Sequence, residues 1–180
     1  MKIHYIQPFD NNSPPNIGGA INAAILQLNT DPEDWIVSMD HDILWLLPSS
    51  KKQLTEILST TDFDILAPRM NRLGNDYQLI LGMFGKTDIL AHINEAVARH
   101  NYHYGIVSTF TGGPLAAACM CFKVKTWKGL AGFEEHSLAF DTQFCIRAER
   151  SGMKMGIMEG IYIFHLYRMG KQVNNIDHLL

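Results

Sequence analysis

The chain has 180 residues, 47% of them hydrophobic and 18% charged, with a formal net charge of -3. That size and composition fit one domain with a proper apolar core and exclude a disordered chain. The charge offers no basic footprint for a phosphate backbone, so nucleic acid is not an expected partner. Three cysteines, Cys119, Cys121 and Cys145, lack CxxC spacing, which argues against a disulfide framework and for a reducing compartment. Cys119 and Cys121 should share one strand face as core residues, a metal-holding thiol pair being the alternative. The opening MKIHYIQPFD lacks signal-peptide organisation, and no apolar run approaches the ~20 residues that span a bilayer. A cytoplasmic protein with no integral membrane segment is expected.

In chain order, Ile3, Tyr5 and Ile6 predict a first strand, stopped by Pro8 and the turn-rich stretch 10–15. Ile17, Ala20, Ile21, Ala24, Ile25 and Leu28 then follow helical spacing, with Asn16 as N-cap. Residues 35–39 form a short apolar run of the buried-strand type, ending abruptly in Asp40-His41-Asp42. A helix over 51–59, a strand over 63–67 and an amphipathic helix over 87–99 come next. Gly112-Gly113 lead into a strand over 116–124, a short helix around Trp127, and a helix over 141–150 stopped by Ser151-Gly152. Two closing strands, 153–158 and 161–166, end the ordered pattern. This alternation predicts an α/β fold: a single domain over 1–180 with a mostly parallel, mixed sheet flanked by helices. In such sheets ligands bind beyond the carboxyl ends of the strands.

Asp40 and Asp42 stand where that rule expects a ligand. Two residues apart, they point to one side of an extended chain and could face one hard cation. Solvated turn carboxylates are the plainer reading. Asp141 opens a helix and could be its N-cap, and His165 could be a half-buried strand histidine. Gly18-Gly19 could let a ligand approach the backbone, and Gly112-Gly113 could shape a second ligand's side or simply turn the chain.

The order of these segments is more specific than any one of them. Asn16-Ile17-Gly18-Gly19-Ala20-Ile21-Asn22, then Asp40-His41-Asp42, then Gly132-Phe133-Glu134-Glu135, Phe140-Asp141 and finally Phe164-His165-Leu166-Tyr167-Arg168 resemble the family 2 glycosyltransferases of GT-A fold. The resemblance implies a nucleotide-binding half (1–115), an acceptor and catalytic half (116–168) and a tail (169–180). It implies Asp40, Asp42 and His165 around Mn2+ or Mg2+, with Asp40 also near the donor's ribose. Asp10, Asn16, Gly18, Asn22 and Arg168 would lie toward a nucleotide-diphospho-sugar donor, with Arg69 a further cation for its diphosphate. Asp141 would be the general base for an acceptor hydroxyl, on a glycan or another molecule, in an inverting transfer.

The sequence departs from that pattern in places. The strand that normally follows the first one, ending in an acid that reads the base, is skipped, which leaves Asp10, Asn11 and Asn12 for base contacts. Ile21 stands where an arginine is common, and Phe140 replaces the first acid of the Glu-Asp motif. A binding domain without turnover is therefore one alternative. A sugar-phosphate nucleotidyltransferase is another, disfavoured by a first loop, 8–16, without Gly, Lys or Arg.

Overall fold

The computed structural model describes residues 1–10, 15–73 and 76–166. They form an α/β fold: a mixed seven-stranded sheet flanked by helices, compatible with a single domain. The strands are β1 (Ile3–Ile6), β2 (Trp35–Met39), β3 (Ile43–Trp45), β4 (Ile65–Met70), β5 (Val107–Phe110), β6 (Cys119–Lys123) and β7 (Met155–His165). The helices are α1 (Ile17–Leu26), α2 (Ser49–Thr60), α3 (Ile89–Tyr102), α4 (Val124–Gly129) and α5 (Phe140–Arg150).

The sheet order is β1-β2-β6-β4-β7-β3, and β5 pairs with β7 as well. The pairs β1/β2 and β4/β7 are parallel; β2/β6, β4/β6, β3/β7 and β5/β7 are antiparallel. The sheet is thus mixed but less parallel than the β/α alternation predicts. Antiparallel β6 is inserted between β2 and β4, and two short strands, β3 and β5, run against β7.

Period-two alternation divides the core into two layers. Ile36, Ile65, Met120, Phe122 and Ile157 pack with residues of α1, α4 and α5 on one face. Trp35, Val37, Leu66, Cys119, Cys121 and Ile163 pack with Leu54, Ile57 and Leu58 of α2 on the other. Cys119 and Cys121 are therefore free, buried core residues of one face, and burial pushes the Cys121 thiol up to about 12.

The two expected closing strands are one. β4 pairs along β7 with its register jumping between Pro68 and Arg69, from Met158 to Tyr162, so Glu159, Gly160 and Ile161 bulge. Gly160 permits this, because a Cβ there would lie 2.5 Å from the His103 carbonyl oxygen and closer still to the Gln53 side-chain amide. At the bulge Glu159 turns to Arg69, which grips it through Nε at 2.9 Å and Nη2 at 2.6 Å while Nη1 donates to the Tyr77 carbonyl at 2.8 Å. Arg69 is thereby committed to the sheet.

α1 begins as the sequence indicates, with the Asn16 side chain accepting from Gly19 N–H at 3.0 Å. Its packing explains Gly18: a Cβ there would sit 2.2 Å from the Glu134 carbonyl oxygen. Gly18→Ala should force the helix away from that loop and cost about 1–3 kcal/mol of stability. Urea unfolding checks this, and an unchanged midpoint would show that α1 does not dock on the Glu134 backbone.

Candidate functional site

β2 is buried along its whole length, so it delivers Asp40 to the sheet's carboxyl edge from a fixed base. The Asp40 N–H still donates to the Ala118 carbonyl at 2.8 Å, extending the β2/β6 ladder by one rung. Residues 41 and 42 then turn into β3, so the two carboxylates converge through a turn instead of along an extended chain. β3 pairs Ile43 with His165 at the end of β7, and Leu166 N–H donates to the Asp42 carbonyl at 2.9 Å. Strand pairing across more than a hundred residues thus brings His165 to the acidic pair.

One ligand atom from each of Asp40, Asp42 and His165 lies within 4.8 Å of the others. His165 Nε2 is 3.2 Å from Asp42 Oδ1 and 3.8 Å from Asp40 Oδ2. The imidazole is nearly buried, at 4% exposure, against 44% for Asp40 and 28% for Asp42, so the carboxylates form the open side. The other ring nitrogen, Nδ1, faces the Arg72 carbonyl at 2.8 Å. A carbonyl can only accept, so Nδ1 donates to it and Nε2 is the ring atom turned toward the two carboxylates. Three such ligand atoms within 4.8 Å of one another suit a divalent cation, and a backbone carbonyl bonded to the far ring nitrogen is a usual companion of a metal-binding histidine.

Asp141 faces the same space. It lies in the first turn of α5 and is not its cap, which falls at Ala139. Its Oδ1 accepts from Thr142 N–H at 2.7 Å and its Oδ2 from Ala117 N–H at 3.2 Å. Burial pushes its carboxyl above the usual range against those two bonds. Burial also raises Asp40, with the His165 ring opposing and the Asp42 and Asp141 carboxylates adding to the rise. A cleft of about 200 Å3 is bounded by Asp40, His165, Phe140, Asp141, Leu73 and the small run 116–118. Somewhat larger hollows lie beside Glu56 and Tyr104 and beside Trp127 and Lys128, about 300 and 340 Å3, but neither gathers a ligating cluster.

The other described donor-side residues make hydrogen bonds within the fold. The Asp10 carboxylate accepts from Asn16 N–H, and the Asn16 side chain spans Gly19 N–H and His136 N–H, the latter at 2.8 Å. Asn22 braces the loop before α5: its Oδ1 accepts from Trp127 Nε1 and Phe133 N–H, and its Nδ2 donates to Phe133 O, all at 2.9 Å. Gly18 meets Glu134, as above. Arg168, with Asn11, Asn12 and the tail, lies outside the described residues.

Sequence reasoning passed over Phe9, which is 63% exposed at the end of β1 and packs edge-on against His41, 5.7 Å between ring centroids. It also passed over Asn71, whose side chain holds the His165 backbone. An exposed aromatic after a strand was the available signal for the first; for Asn71 there was none. No protein-family model matches the chain, and comparison with curated proteins gave no match. Among the described residues no helix is long and apolar enough to cross a membrane.

Proposed function

We propose that the chain is a divalent-metal-dependent glycosyltransferase of GT-A type, moving a sugar from a nucleotide-diphospho-sugar to an acceptor hydroxyl. The observation that supports it most is the cluster of Asp40, Asp42 and His165 at the carboxyl edge of the sheet, beside a cleft that Asp40 and His165 line together with Asp141. Asp40, Asp42 and His165 would hold Mn2+ or Mg2+, which supplies charge neutralisation to the donor diphosphate and to its leaving group. Held by Arg72 O, His165 presents Nε2 to the same space as the two carboxylates. Asp141 has lone pairs beyond its two backbone bonds, and with its raised basicity it takes the acceptor hydroxyl's proton. The cleft is below the ~300–1,000 Å3 of a drug-sized pocket, so it suits the sugar while the nucleotide lies outward along Phe9 and His41.

A domain that binds a nucleotide or glycan without turnover is the second reading. It is favoured by the β1-α1-β2 connection, which holds no base-reading strand among its described residues. A panel of nucleotide-sugars with mixed acceptors and Mn2+ separates the two. We expect one donor to release free nucleoside diphosphate only when the ion is present. Release from no donor would remove the transferase reading, and release of pyrophosphate from nucleoside triphosphate plus sugar phosphate would point to nucleotidyl transfer.

A further inference from the structure

β4 stops pairing with β7 at Met70, opposite Ile163, two residues short of His165. Beyond that point the side chain of Asn71 continues the ladder. Its Oδ1 accepts from His165 N–H at 2.7 Å and its Nδ2 donates to His165 O at 3.1 Å, so one amide side chain satisfies both backbone groups. Asn71 is fully buried, and its chain neighbour Arg72 supplies the carbonyl that fixes the imidazole. The next residue, Leu73, forms part of the cleft wall. On its other edge, His165 is held by Ile43 of β3.

We propose that Asn71 is a positioning residue for the cation site. It fixes the backbone of His165 while the carbonyl of the adjacent Arg72 engages Nδ1, so that Nε2 is held toward Asp40 and Asp42. This inference rests on the metal-binding part of the proposed function and on no donor, acceptor or transfer step. A plain core amide would contribute to stability alone. A positioning amide also sets the affinity for the ion, because loss of an outer-shell partner of a ligand typically weakens metal binding about 10- to 100-fold.

The test measures Mn2+ binding to the full chain by electron paramagnetic resonance of the free ion. Wild type, Asn71→Ala, Asn71→Ser and His165→Ala are compared at a temperature where metal-free thermal scans show each folded. We expect affinity to fall about 10- to 100-fold in Asn71→Ala, and to fall less in Asn71→Ser, whose hydroxyl can retain one of the two bonds. If Asn71→Ala does not fold, Asn71→Ser decides. Variant affinity within twofold of wild type would overturn the inference, as would a wild type that binds no Mn2+. Mn2+ binding that depends on Asn71, in a protein that transfers no sugar, would leave it standing while removing the transferase.

Discussion

Asp42→Ala is expected to abolish divalent-ion-dependent donor binding and to leave the fold intact. The side chain sits on the open side of the cluster, and its contact is with His165 Nε2. The backbone carbonyl that accepts from Leu166 N–H remains, so the joint between β3 and β7 is kept. Removing one of two neighbouring carboxylates relieves repulsion with Asp40 but also removes the contact with His165 Nε2, so thermal stability without ion should change little. As a direct ligand, Asp42 should cost more than the roughly 10- to 100-fold lost with an outer-shell partner. Calorimetric titration of donor with and without Mn2+ measures this. An unchanged metal-dependent affinity would place the ion elsewhere.

Asp141→Asn is expected to lower sugar transfer about 10²- to 10⁴-fold at saturating donor and acceptor, with donor affinity near that of wild type. The asparagine cannot take a proton. It also cannot accept from both Thr142 and Ala117, since its NH2 must face one of those two N–H groups. One buried donor is then left unsatisfied, at a cost of about 1–3 kcal/mol, so activity has to be compared where thermal scans show both proteins folded. A structural role alone predicts that stability loss with turnover preserved in the folded protein. Transfer at close to the wild-type rate would shift the base to another carboxylate, such as Glu134 or Glu135, or point to a non-inverting mechanism.

How much of this was legible in the sequence depended on whether the signal was local. Trp35–Met39 read correctly because a strand buried on both faces is a continuous apolar run, and α1 because Asn16 caps it. β3 and β5 left no comparable trace. Each is three or four residues of mixed exposure, defined by pairing with β7 and not by its own pattern. The sequence pattern reads as two closing strands, 153–158 and 161–166, yet the packing of Gln53 and His103 around Gly160 makes it the residue that lets one strand continue. At the site, the order of segments named Asp40, Asp42, Asp141 and His165, which the fold gathers. It could not show that Asn22 spends its amide on Trp127 and Phe133. Nor could it find Arg72 O, because a backbone carbonyl has no letter of its own.

The placement of β7 has a consequence for how the protein is made. This last strand of the described chain is not at an edge of the sheet: it lies between β4 on one side and β3 and β5 on the other. During synthesis β4 must therefore wait, one flank open, until residues 155–165 have left the ribosome, and the pairing with β3 that brings Asp42 to His165 closes a loop of more than a hundred residues. Such long-range closure is slow and leaves unpaired strand edges exposed in the meantime. The strand that completes the cation site is also the one that ends this exposure, so a nascent chain stalled before His165 has neither ligand geometry nor a closed sheet.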